Sequence, residues 1–298
     1  MKLKQLILTC LMLSLAATAA NAEDLTGTLK RIKETGIITV GHRESSIPFS
    51  YYDENQNVIG YSQEYTNRIV EAVKKELNMP NLKVKYLPIT SKTRIPLLQN
   101  GSYDIECGST TNNESRQRQV AFSNTIYITG TRFLVNKNKN IQDIADLKGK
   151  NVVTTSGTTS EIMLNKANNT QKLAMRLITP KDHGDAFRTL ESGRAVAFLM
   201  DDALLAGERS RAADPSKWVI VGKPLSFEAY GCMLRKDDPQ FKTLVDKTIA
   251  DIQTSGEAEN LYTKWFAQPV PPKGANMNLE LSPEMKQLFA APNDKALN

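Results

Sequence analysis

The stretch ECGSTTNNESRQRQ, residues 106–119, follows an apolar run and sets a thiol, a row of hydroxyls, carboxamides and two guanidiniums side by side. Two chemistries use such a set. As a nucleophile, Cys107 needs a base within reach to take its proton, and the chain offers only His42 and His183. As a cradle, the same stretch turns hydroxyls, backbone amides and Arg116 toward an anion, because a guanidinium grips a carboxylate through two parallel N–H donors.

Similar groups recur at comparable places. Arg43 lies beyond ITVGH, Ser91 and Arg94 beyond YLPIT, and Ser109, Thr110, Thr111 and Arg116 beyond YDIEC. Ser156, Thr158 and Thr159 lie beyond NVVTT, Asp201 lies beyond VAFLM, and His183 precedes the intervening helix. Each has a plainer reading. An arginine after a strand is commonly solvated, Thr158 with Glu161 has the spacing of a capping box, Asp201-Asp202 suits the positive end of a helix, and His183 could lie on the surface.

The elements that would position these residues are legible. GIITVGH and VKYLPI read as strands flanking the amphipathic YTNRIVEAVKKEL, where Ile69, Val70, Val73 and Leu77 recur at helical spacing. RIPLLQNGSYDIECGS gives a short helix, stopped at Asn100-Gly101, and a buried strand. KNVVTTSGTTSEIMLNKA and HGDAFRTLESGRAVAFLMDDALLAG alternate strand, turn and helix again. This interleaving predicts α/β architecture with mainly parallel sheets. Ligands of such sheets gather beyond the carboxyl ends of strands, where the candidates lie. From Gln268 a proline-rich stretch reads as an irregular arm before a last helix, SPEMKQLFAA.

Lys2 and Lys4, the apolar run Leu6 to Ala17 and the small-residue site Ala20-Asn21-Ala22 read as a cleaved secretory signal peptide over residues 1–22. Its removal leaves Cys107 and Cys232 in a chain sent to an oxidising compartment, where one disulfide is the economical reading. Formal charge falls from +6 to +4 without the two leader lysines, and the remaining Lys and Arg are scattered among acids. No basic block points to nucleic acid. No later stretch reaches the roughly 18 consecutive apolar residues of a membrane span.

Together the strand-end groups describe a ligand by its complement. Arg116 and the 109–111 turn suit one carboxylate, Asp201 an ammonium, and Arg43, Ser91, Arg94 and His183 a second anion. Two anions and one cation on a small body make an acidic amino acid.

Five motifs agree with this in order and spacing: GHRESSIPFSYYDE, ITSKTRIPLLQNGSYDIECGSTTNNESRQRQVAFS, SGTTSE, KDHGDAFRTLESGRAVAFLMDD and EAYGCMLRKDDPQF. They resemble the periplasmic solute-binding proteins of polar amino-acid ABC transporters, in particular those that take glutamate and aspartate. The likeness spans nearly all of residues 30–298, with a small departure in the NNES residues before Arg116. It implies an α/β, two-lobed periplasmic-binding-protein fold (type II), the lobes joined by two hinge crossovers with the ligand in the cleft. Lobe 1 is expected over 23–129 and, with a C-terminal arm, over 225–298; lobe 2 is expected over 130–224. Cys107 and Cys232 then fall in one lobe, as a disulfide requires.

The resemblance also implies roles. Arg116, helped by Thr111, would hold the α-carboxylate, and Asp201, helped by Ser109, the ammonium. Arg43, Ser91, Arg94 and His183 match positions for the side-chain carboxylate, Thr159 lies in the loop that closes over the ligand, and Tyr230 adds a phenol. The implied partners are L-glutamate or L-aspartate and an inner-membrane ABC-transporter permease, with the protein a monomer in the periplasm and no cofactor or metal. The competing expectation is an enzyme on the same fold, a dehydratase of a cyclic carboxylic acid, which would need a carboxylate acid or base over the reacting carbon. The sequence holds no G-x-S-x-G, H-E-x-x-H, C-x-x-C or Gly-rich phosphate loop.

Overall fold

Ile37–His42 organises the first half of the sheet in this computed structural model, which describes residues 24–297. The expected leader lies outside the described residues. Ile37–His42 pairs in parallel with Lys83–Pro88 on one side and with Ile105–Glu106 on the other. Phe227–Leu234 then runs antiparallel to Ile105–Glu106 and to the first part of the long strand Ala121–Asn136.

That long strand changes partner in mid-course. Phe227 pairs with Gly130, whereas Asp201 pairs with Thr131, and from there to Val135 the strand carries Ala197–Asp201 on one side. Trp218–Val221 lies along its other side from Phe133 to Asn136. Asn151–Val153 and Arg176–Ile178 extend this second half in parallel from Ala197–Asp201. The expectation of mainly parallel sheets is therefore corrected. Pairing is parallel among the strands joined by helices, and antiparallel wherever Ala121–Asn136 or Phe227–Leu234 passes between the halves, because these strands run back through the sheet instead of crossing over by a helix.

Helices cover the sheet through stripes at four-residue spacing. In Tyr61–Glu76 the buried stripe is Tyr61, Tyr65, Ile69 and Val73, and in Pro239–Thr254 it is Phe241, Val245 and Ile249. Lys74 and Lys75 close the first helix at its negative end. Beneath the cleft side of the first half, Phe49 meets Tyr127 and Tyr230 with ring centroids 4.9 and 5.1 Å apart, and Tyr127 stacks on Phe266 at 4.8 Å. Such contacts add to area burial and fix ring orientation.

Cys107 and Cys232 form a disulfide between neighbouring strands, both buried, so Cys107 is a bridge and not a nucleophile. The C-terminal arm packs on the first half. Thr125 N–H donates to Asn293 O at 2.8 Å, Asn112 Nδ2 donates to Asp294 O at 2.8 Å, and Lys242 pairs with Asp294 at 2.9 Å. The arm thus braces the turn that carries the candidate cradle. Among the described residues no helix is long and apolar enough to cross a membrane.

Candidate functional site

Three arginines of the first half are taken out of water. Arg43 and Arg94 are each 2% exposed and Arg116 is 8% exposed. Arg43 follows Ile37–His42 and its N–H donates to Ser50 Oγ at 3.0 Å. Arg94 is the first residue of the helix Arg94–Gln99; its Nη1 donates to Thr110 Oγ1 at 2.6 Å and to Ser109 O at 3.3 Å. Arg116 lies on the single turn Glu114–Gln117, whose start is capped by Asn113, and its Nη1 donates to Thr111 O at 2.9 Å. Arg118, by contrast, is exposed.

Several polar atoms in this region have no protein partner: the donors Arg43 Nη1 and Arg94 Nε, the hydroxyls Ser91 Oγ and Ser109 Oγ, and His183 Nε2. A buried donor without a partner costs about 1–3 kcal/mol, more if charged, so a group of them around one place calls for an acceptor.

The second half supplies the opposite wall. Thr158 caps the helix Thr159–Thr170, accepting from Glu161 N–H at 3.1 Å, while Glu161 Oε2 accepts from Gly157 N–H at 2.7 Å. The predicted capping box is thus displaced by one residue. Gly157 has φ +79°, and a Cβ there would stand 2.6 Å from Lys92 Cα, so this turn rests on the Ser91-Lys92 backbone of the first half. Gly184 N–H donates to Ser45 Oγ at 3.3 Å, a further contact between halves.

His183 opens the helix His183–Glu191 and is buried, which removes the surface reading; its Nδ1 lies 2.8 Å from Thr155 Oγ1. Asp201 ends its strand, yet its carboxylate caps no helix. Oδ1 accepts from Thr131 Oγ1 at 2.8 Å, and Oδ2 accepts from the Tyr230 hydroxyl. Thr159 is half-buried and donates to Glu228 Oε2 at 3.2 Å. The structure therefore brings all ten expected residues around one region, with Arg43, Ser91, Arg94, Ser109, Thr111 and Arg116 on one side, His183, Asp201 and Thr159 on the other, and Tyr230 on the strand between.

Burial governs the titration of these groups. It lowers Arg116 to about 9 and Arg43 to about 10, with the charge of Arg94 adding to both, so each stays cationic at neutral pH. Burial, then Arg43 and Arg94, holds His183 well below the ordinary histidine range, which makes it a neutral imidazole. Asp201 is pushed up to about 7, by burial first and by Glu228 second.

Two acids escaped the sequence reading. Glu106 is fully buried among the guanidiniums, and Glu228, also buried, accepts from Ser226 Oγ at 2.8 Å as well as from Thr159. The signal for Glu106 was available, since clustered arginines need an anion and this one closes the YDIEC strand. Thr131 and Thr155 are the other additions, orienting Asp201 and His183, while Thr110, already among the strand-end candidates, orients Arg94. Among the described residues no group of three His, Cys, Asp or Glu could hold a metal.

A site of this composition can bind a small zwitterion bearing an extra anion. The glutamate/aspartate import solute-binding protein of Salmonella typhimurium is 65% identical over 100% of both chains. The L-glutamate/L-aspartate-binding protein of Pseudomonas aeruginosa is 58% identical, over 98% of this chain and 97% of its own. Both are named as binding proteins and neither as an enzyme. Among solved structures, a mutant of ArgBP from T. maritima superposes with a TM-score of 0.70 at 28% identity, covering 80% of this chain and 99% of that one. The two-lobed periplasmic-binding fold expected above is thus the fold of this chain. Residues 38–268 match the bacterial extracellular solute-binding proteins, family 3, and the chain belongs to that family.

Proposed function

We propose that this protein binds L-glutamate and L-aspartate in the periplasm, closes its lobes over the amino acid and delivers it to the permease of an ABC importer. The observation that carries this reading is the set of three buried guanidiniums facing one buried carboxylate across two sheet halves, with donors left unpartnered between them. The names of the two relatives support it.

In this reading Arg116, Thr111 and the turn amides take the α-carboxylate. Asp201, oriented by Tyr230 and Thr131 and assisted by Ser109, takes the ammonium. Arg43, Ser91, Arg94 and His183 take the distal carboxylate, and Thr159 closes over the ligand. The lobes are 23–129 with 225–298, and 130–224; the change of strand partner between Gly130 and Thr131 supports the first boundary. Residues 1–22 are the cleaved leader, the protein works as a monomer without cofactor, and it converts nothing. A dehydratase would need a carboxylate acid or base over a reacting carbon, and the two relatives are named as binding proteins instead.

Calorimetry against the twenty amino acids, with the Arg94→Ala variant beside the parent protein, tests the proposal. Only the acidic pair is expected to bind at micromolar affinity or better. Removing one partner of a buried charge pair costs about 2–5 kcal/mol, so Arg94→Ala should weaken glutamate by about thirtyfold or more and glutamine far less. Equal losses for all ligands refute the assignment, and any product found by NMR refutes the absence of catalysis.

A further inference from the structure

The roles above leave Glu106 without a ligand contact. It ends the strand Ile105–Glu106 opposite Gly41 and is 0% exposed. Its Oε2 accepts from Thr110 Oγ1 at 2.8 Å, and that hydroxyl accepts from Arg94 Nη1 at 2.6 Å, so donors run in one direction from guanidinium to carboxylate. Its Oε1 has no hydrogen-bond partner and lies over Gly108. A Cβ at Gly108 would collide with Oε1 while standing 3.4 Å from Arg43 Cγ, which places the carboxylate beside Arg43 too. Burial raises the Glu106 carboxyl above the ordinary carboxylate range, with Arg94, the Thr110 hydroxyl, Arg43 and Arg116 opposing that rise.

Glu106 thus lies as a buried counter-charge among Arg43, Arg94 and Arg116, Asp182 acts on Arg43 as well, and His183 is neutral. We propose that Glu106 offsets part of the guanidinium charge of this subsite and thereby selects a monoanionic side chain, a carboxylate, over a dianionic one such as a phosphate ester. The inference rests on the assignment of Arg43, Arg94 and His183 to the distal carboxylate. In a site closed to water, mismatched charge is poorly screened. A dianion would bring a second negative charge against Glu106, whereas a carboxylate brings one. With Glu106 neutralised, two guanidiniums match a dianion, which their fork geometry suits.

The test is calorimetry of the whole secreted protein with L-glutamate and O-phospho-L-serine, comparing parent and Glu106→Gln. Glutamine keeps the size and an acceptor for Thr110. The glutamate-to-phosphoserine affinity ratio is expected to fall at least tenfold in the variant; an unchanged ratio overturns the proposal. A second measurement needs no variant, because a phosphate ester takes up a proton near pH 6 while glutamate stays ionised. From pH 8 to pH 5.5 the ratio should shift about tenfold toward phosphoserine in the parent protein, since titration of Asp201, which faces the ammonium common to both, acts on both ligands. A constant ratio, or phosphoserine undetectable under every condition, means that size and not charge excludes the dianion, and overturns the proposal. Glutamate failing to bind the parent protein instead refutes the proposed function.

Discussion

Gly157→Ala separates the two consequences of one added methyl group. At φ +79° an alanine pays the left-handed penalty, about 1–2 kcal/mol, in every state in which the turn is folded. Its Cβ would also stand 2.6 Å from Lys92 N and Cα and 2.8 Å from Ser91 C. Carbon atoms sit most favourably about 3.5–4.0 Å apart. Roughly 1 Å of overlap must be relieved by parting two backbone segments that belong to different halves, and overpacking of this kind costs about 1–3 kcal/mol. If the ligand is bound with the halves in contact, that second cost falls on the complex alone.

The expected result is a stability loss of about 1–2 kcal/mol without ligand, and a dissociation constant for glutamate raised roughly five- to 150-fold. Gly149→Ala supplies the control, because Gly149 has φ +73° and nothing within 4 Å of an added Cβ. It should lose similar stability and keep its affinity. Denaturant unfolding and calorimetry on both variants decide the matter. Equal affinities in the two variants would show that the 157–92 contact is absent from the bound state and refute closure by this route.

Two further outcomes follow from the site and its staple. An ammonium beside Asp201 favours the carboxylate, and burial with Glu228 pushes that carboxyl up to about 7, so below this pH a proton must leave when the ligand binds. Glutamate affinity should therefore rise with pH to about 7, level off above it, and fall by up to tenfold per unit below it; a profile in calorimetry that is flat from pH 5 to 9 contradicts the pairing. The Cys107–Cys232 bond spans a sequence separation of 125, and the double Cys→Ser variant should lose about 2–5 kcal/mol in denaturant unfolding. A loss below about 0.5 kcal/mol, within the range of ordinary surface changes, would deny the bond a structural role.

What the sequence made legible was local. Arg43, Arg94 and Arg116 follow clear apolar runs, and strand-end position was enough to single them out. Glu106 belongs to such a run and reads as part of the strand; which way it points depends on the register of a two-residue strand against Gly41 and Met233. That register is set by residues far along the chain. His183 could be read as surface or buried because helix position alone says nothing about the other lobe, and here Ser45 meets the next residue, Gly184. The direction of Ala121–Asn136 was hidden for the same reason. Its partners come from 197–201, 218–221 and 227–234, and a change of partner at Gly130 leaves no mark on its apolar pattern.

The division of charge between the halves explains why an amino acid, and not the protein alone, is suited to hold them together. The cations lie on one side, with Glu106 offsetting only part of their charge, while the other side offers Asp201 and a neutral imidazole. A protonated His183 would add a fourth cation to a set already crowded by Arg43 and Arg94. Held neutral by burial and by those same charges, with Nδ1 against Thr155, it contributes a hydrogen-bonding group at no electrostatic penalty. In the proposed cycle, closure would bring one acid toward the cations, and Asp201 is held there by Tyr230 and Thr131. A molecule that carries two carboxylates and one ammonium satisfies both walls at once. In the proposed reading, one that lacks the distal carboxylate would leave Arg43 and Arg94 buried without their second anion, and that uncompensated charge would separate glutamate from glutamine.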